Sequence, residues 1–112
     1  MGNTTNRILT VGNLINGYTT TATSGGTATL TVNSTMQQFF TGVLTHTVVL
    51  PVTSTMVLGQ QFQIINNSTG TVTVQSSGAN SILAMPGSSV ATFTVILTSG
   101  TTAASWFANN QT

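Results

Sequence analysis

Apolar and polar residues alternate along most of this chain, and a period of two predicts β-strands. Ala28, Leu30 and Val32, for example, fall on one face of such a strand, and the intervening threonines fall on the other. Threonine, valine and isoleucine dominate, while strong helix formers are scarce. The sequence therefore predicts an all-β protein with strands over residues 27–33, 36–40, 45–50, 60–66, 71–75, 81–85, 89–98 and 104–108.

Turn signals separate these predicted strands. Gly42 marks a bend and Pro51 ends a strand. The Asn-Asn-Ser-Thr-Gly cluster at 66–70 predicts a hairpin between the strands on either side of it. Short strands at such intervals are typical of a single β-sandwich or a jelly-roll-like small barrel, and we expect one of these folds. No repeat of fixed period is visible in the chain.

The first 26 residues follow a different pattern. Ile8, Leu9 and Val11 form a short apolar patch, and residues 19–26 are rich in Thr, Ser and Gly, as in a flexible linker. A strand-forming patch on a tether is suited to adding a strand to a neighbouring subunit, although a strand within the chain's own sheet fits the same residues. We therefore divide the chain into an N-terminal arm and linker, residues 1–26, and a β-sandwich domain, residues 27–112.

Charge is nearly absent. The 112 residues include no Asp or Glu and one Lys or Arg, which is Arg7, whereas soluble domains devote about a quarter of their residues to charge. With 39% hydrophobic residues the chain should nevertheless fold. Without carboxylates there is no acid/base pair and no site for a hard cation, so we do not expect an enzyme. Low net charge and uncharged strand edges favour association of the chain with itself.

Two residues could carry chemistry, and neither has the partners it would need. His46 is the single histidine, and it shares a strand face with Val48 and Leu50, which indicates a hydrogen-bonded structural role rather than a metal or catalytic one. Arg7 alone gives little of the positive charge that nucleic-acid binding requires. No apolar run approaches the roughly 18 residues of a membrane span. We expect no cofactor, no metal, no nucleic acid and no membrane span.

Two pairs of adjacent aromatic residues are candidate contact residues, namely Phe39-Phe40 and Trp106-Phe107. Neighbours on a strand point to opposite faces, so one member of each pair must face outward or into an interface. Burial at a subunit interface is the preferred interpretation, because aromatic residues are enriched there. Stacking against a glycan is the alternative.

A series of segments between Leu30 and Trp106 resembles a β-rich domain of tail-fibre and appendage proteins of tailed bacteriophages. The segments, in order, are Gln38–Gly42, Val48–Thr55, Leu58–Phe62, Ile64–Val74 and Thr102–Trp106. The resemblance implies a virion surface protein, typically homotrimeric, whose outer domains bind host glycans or proteins. It covers scaffold strands and turns, so it transfers no binding residues, and this chain is shorter than fibre proteins usually are.

These observations together predict a non-enzymatic structural protein that self-assembles as a homotrimer or a fibre, at a virion surface or in another extracellular filament. Its main partner would be further copies of itself. The alternative is a receptor- or glycan-binding module at a fibre tip, with a host surface glycan or protein as the partner.

Overall fold

The structure, a computed structural model, describes residues 16–111. In this range the chain is built from short strands and almost no helix, which confirms the all-β prediction. The strands are β1 (Tyr18–Ala22), β2 (Thr27–Thr29), β3 (Gln37–Thr41), β4 (His46–Val49), β5 (Gln61–Asn66), β6 (Val72–Gln75), β7 (Ser81–Met85), β8 (Ser89–Val95) and β9 (Trp106–Gln111). Two 3₁₀ turns lie at Thr53–Thr55 and Ala103–Ser105.

The strands form two sheets, and from β1 to β6 the chain alternates between them. Sheet A has the order β1-β3-β5-β8-β9 and sheet B the order β2-β4-β6-β7. We use the word coil for two consecutive strands of which the first lies in sheet A and the second in sheet B. Coil 1 is β1 and β2, coil 2 is β3 and β4, and coil 3 is β5 and β6. Successive coils pair in parallel in both sheets. The last three strands then add antiparallel to this stack.

The observed strands and their pairing overturn two expectations. The hairpin predicted around residues 66–70 is wrong, because β5 belongs to sheet A and β6 to sheet B. The flexible linker predicted over 19–26 is also wrong in its first part, because β1 occupies Tyr18–Ala22 and pairs with β3. The finer prediction of a sandwich or jelly roll is not confirmed, since the two sheets are mixed and do not close into one.

The core is one hydrophobic cluster to which both sheets contribute. Phe40, Phe62 and Phe93 of sheet A are fully buried, as are Val48 and Val74 of sheet B. Strand β8 ends at Val95, three residues earlier than predicted, and every second residue within it is buried. The period of two in the sequence therefore indicates which side chains point toward this cluster.

The turns from sheet A to sheet B stack on one another as closely as the strands do. The Thr23 N–H donates to the carbonyl of Thr41 at 2.8 Å, and the Thr69 N–H donates to the carbonyl of Gly42 at 3.1 Å. A Cβ on Gly70 would overlap the backbone of Leu44 in the turn of coil 2. Glycine is therefore required there by the close approach of two backbones.

A buried amide joins coil 3 to the antiparallel strands. The Asn66 side chain is 0% exposed. Its Nδ2 lies 2.9 to 3.1 Å from the carbonyl oxygens of Gly70, Met85 and Pro86. Its Oδ1 accepts hydrogen bonds from the backbone N–H and the hydroxyl of Ser68. One side chain thus fixes both the turn after β5 and the turn between β7 and β8.

We expect Asn66→Ala to lower the free energy of unfolding by about 3 kcal/mol or more, because it removes the buried hydrogen bonds of Nδ2 and Oδ1 and leaves the Ser68 N–H without its acceptor. The matched control is Asn67→Ala, since Asn67 is the exposed neighbour in the same turn, and it should cost less than about 1 kcal/mol. Urea denaturation of both variants checks this. Equal losses would show that the amide network does not hold the two turns.

Candidate functional site

The structure separates the four aromatic candidates into core and surface. Phe40 is fully buried, and Trp106 is 5% exposed with its ring centroid 6.4 Å from that of Phe62. Phe39 is half-buried and Phe107 is 60% exposed. One member of each pair does face outward, as predicted, so Phe39 and Phe107 are the members that a partner could contact.

The predicted assembly arm cannot be placed in the same way. Ile8, Leu9 and Val11 lie outside the residues that the structure describes. Their role in assembly remains a prediction.

Among the strands of residues 16–111, β1 lies at the edge of sheet A, and half of its backbone groups point away from the sheet. The Gln37 N–H donates to the Gly17 carbonyl at 2.9 Å, and the Thr23 N–H donates to the Thr41 carbonyl at 2.8 Å. In a parallel ladder the N–H and C=O of every second residue face the same neighbour. The odd-numbered residues of β1 therefore bond to β3, and the backbone groups of Tyr18, Thr20 and Ala22 point outward.

Strand β2 forms the edge of sheet B at the same end of the stack. The Thr47 N–H donates to the Gly26 carbonyl at 3.0 Å, and the Leu30 N–H donates to the Val49 carbonyl at 2.8 Å. By the same alternation the backbone groups of Thr27 and Thr29 point outward. The end of the stack thus presents two neighbouring edges, one from each sheet.

Neither edge carries the features that usually discourage strand addition. Natural edge strands are commonly protected by lysine, by an inward charge, by proline or by a bulge. Residues 16–111 contain no Asp, Glu, Lys or Arg, and β1 and β2 pair in unbroken register with their neighbours. We call this pair of edges, β1 and β2, the open end of coil 1.

The outer face of sheet A carries a row of uncharged polar side chains. Strand pairing aligns Tyr18, Gln37, Gln63, Thr92 and Asn109 across all five strands. The Gln37 Nε2 donates to the Gln63 Oε1 at 3.1 Å. A shallow pocket of about 180 Å³ lies on this row between Gln63 and Asn109. The face therefore offers amide and hydroxyl groups at the regular spacing of adjacent strands.

An aromatic pair lies at one end of this row. Tyr18 is 53% exposed, and its ring centroid is 5.7 Å from that of Phe39 on the next strand. The sequence did not predict the strand that places Tyr18 beside Phe39, because the residues after Tyr18 were assigned to a linker. The run of one aromatic and three β-branched residues at 18–21 is the strand signal that could have identified it.

His46 has the structural role that the sequence predicts. It is buried, its Nδ1 accepts a hydrogen bond from the Ser24 N–H at 3.2 Å, and its ring lies 5.5 Å from that of Phe40. No cluster of three or more metal-ligating side chains occurs between residues 16 and 111. Over the same range, no helix is both long and apolar enough to cross a membrane.

Comparison with known proteins gives no relative. No family model, no curated protein and no solved structure matches the chain. The open end of coil 1 and the outer face of sheet A are therefore interpreted from their own geometry.

The outward direction of the Thr20 backbone predicts a difference between two proline variants. Thr20→Pro removes an N–H that points away from β3, so it should cost less than about 1 kcal/mol, since proline is tolerated at such edge positions. Thr21→Pro removes an N–H of the β1–β3 ladder and should cost about 2 kcal/mol or more. Chemical denaturation at a concentration where both variants are monomeric measures the difference. A larger loss for Thr20→Pro would contradict the assigned direction of the ladder.

Proposed function

We propose that this chain is a non-enzymatic structural domain that self-assembles, as a homotrimer or a fibre, in a phage or virus appendage or another extracellular filament. The observation that carries the proposal is the open end of coil 1, where each sheet ends in an uncharged edge strand. Outward N–H and C=O groups at such an edge are a template for a strand of another chain. On this proposal the two sheets act as the layers of a β-sandwich scaffold.

The near absence of charge supports the same function. Charged surfaces keep proteins apart, and a net charge close to zero promotes association. A contact made by backbone hydrogen bonds and apolar side chains is also little affected by salt, because no exposed ion pairs are screened. The proposed assembly should therefore persist over a wide range of ionic strength.

The N-terminal arm belongs to the proposal as one source of an added strand. Ile8, Leu9 and Val11 would fill small apolar sites on a neighbouring subunit while their backbone pairs with one of its edges. The location at a virion surface or outside a cell is proposed from the resemblance of the segments between Leu30 and Trp106 to tail-fibre domains.

Light scattering tests the assembly directly. We expect a species larger than a monomer at tens of micromolar, of equal mass in 0.05 and 1 M NaCl. Leu9→Asp should reduce that mass, because it places an unpaired carboxylate in an apolar contact. Asn3→Asp adds the same charge outside the apolar patch and should leave the mass unchanged. A monodisperse monomer of the unaltered chain would overturn the proposal.

Glycan binding is the second candidate, and the outer face of sheet A favours it. The exposed Tyr18 ring beside the half-buried Phe39 offers a stacking surface, and the Gln37–Gln63 amides offer donors and acceptors to hydroxyl groups. A site without charge suits a neutral oligosaccharide rather than an acidic one.

A glycan array made of neutral and acidic oligosaccharides tests this candidate. We expect neutral oligosaccharides to bind, and Tyr18→Ala to weaken that binding about tenfold or more through the loss of stacking. Val43→Ala is the control, because Val43 is a similarly exposed apolar residue in the turn after β3. Equal binding by the two variants, or no binding by the unaltered chain, would exclude the site.

A further inference from the structure

The stack of coils has a second end, opposite the open end of coil 1. There β9 is the edge strand of sheet A and β7 is the edge strand of sheet B. We call this pair of edges the cap end. Both ends of the described chain thus present one edge from each sheet.

The strand directions at the two ends are compatible with each other. In sheet A, β1 runs parallel to β3 and β5, β8 runs antiparallel to β5, and β9 runs antiparallel to β8. Strands β1 and β9 therefore point the same way. In sheet B, β7 runs opposite to β6, β4 and β2. A second copy displaced along the stack by the five strands of sheet A would place its β9 parallel to β1. Because sheet B has four strands, the same displacement leaves the width of about one strand between β7 and β2.

The backbone of β9 also presents groups to such a neighbour. The Ile96 N–H donates to the Ser105 carbonyl at 2.9 Å, which fixes the bonded pairs of the β8–β9 ladder. In an antiparallel ladder these pairs alternate with non-bonded ones. Phe107 and Asn109 therefore bond to β8, while the backbone groups of Ala108 and Asn110 point away from it.

We propose that the partner at the open end of coil 1 is the cap end of a second copy of this chain. Strand β9 of one copy pairs with β1 of the next, so that sheet A continues from copy to copy. The inference rests on the proposed self-assembly and adds the contact that carries it. Because the two ends differ, the contact is heterologous and repeats into a fibre rather than a twofold dimer.

The size and chemistry of the two ends support this pairing. Strands β1 and β9 contain 5 and 6 residues, so their ladder can extend over the whole of β1. Neither end carries a charged side chain within residues 16–111. An apolar pocket of about 280 Å³, lined by residues that include Leu30, Val32, Pro51 and Val52, opens beside β2 and offers further apolar surface for burial.

Two proline variants of the full chain test the contact by complementation. Thr20→Pro removes an outward N–H at the open end of coil 1, and Ala108→Pro removes one at the cap end. Thr20→Ala and Ala108→Ser retain the N–H and are the controls. Circular dichroism checks that each variant folds, and Asn110→Pro replaces Ala108→Pro if that variant does not.

We expect each proline variant alone to assemble at least tenfold more weakly than the unaltered chain. An equimolar mixture should form a one-to-one dimer in light scattering and native mass spectrometry, because each variant keeps the end that the other has lost. The two controls should form fibres as the unaltered chain does.

The results that would contradict the head-to-tail contact can be distinguished from those that would contradict the proposed function. If Ala108→Pro alone still forms dimers and Thr20→Pro does not, β1 pairs with β1 of another copy, and the head-to-tail contact is wrong. If the unaltered chain assembles and both proline variants assemble equally well, the contact lies elsewhere, and the edge strands are not used. If the unaltered chain is a monomer, the proposed function fails together with this inference.

Discussion

The parallel stacking of successive coils is the constraint on which the rest of this structure depends. Each strand of coil 2 bonds to the strand before it and the strand after it in the same sheet, so its backbone groups are satisfied on both sides. The turns between the sheets must then stack at the same close spacing. That requirement explains why Gly70, whose Cβ would meet the backbone of Leu44, cannot carry a side chain.

Uncharged side chains supply the polar contacts that charged residues supply elsewhere. The Asn66 side-chain amide holds two turns through buried hydrogen bonds. The Ser24 backbone N–H donates a hydrogen bond to the His46 Nδ1. A buried amide needs partners on both its oxygen and its nitrogen, but it avoids the large desolvation cost of a buried charge. Amides, hydroxyls and backbone groups can therefore satisfy the polar groups of the interior without any charged side chain.

The same lack of charge leaves the edge strands at the surface without their usual protection against pairing. An edge strand such as β1 normally needs a lysine, a proline or a bulge to remain unpaired. Here the open end of coil 1 has none of these, and the cap end also lacks charge within residues 16–111. This lack of protection at the edges is what supports the proposed self-assembly, in which other copies complete the edges.

The sequence by itself determined where most strands lie and which side chains point inward. β7 occupies the predicted residues, β3 to β6 differ from prediction by a residue or so at their ends, and the alternation in β8 places Ala91, Phe93 and Val95 in the core. It could do so because the period of two is a local property of one strand and its burial. The prediction that one member of each aromatic pair faces outward followed from the same rule, and the structure decided which member it is.

Only the tertiary structure decided which strands pair. Thr20 pairs with Phe39 and Thr27 with Thr47, offsets of 19 and 20 residues, whereas Phe39 pairs with Ile65 and Thr47 with Thr73, offsets of 26. The connection over residues 50–60, with its 3₁₀ turn, lengthens the second interval and hides the repeat. A turn such as 66–70 fits a hairpin and a crossing between sheets equally well, because local turn chemistry does not specify the distant strand that completes the ladder.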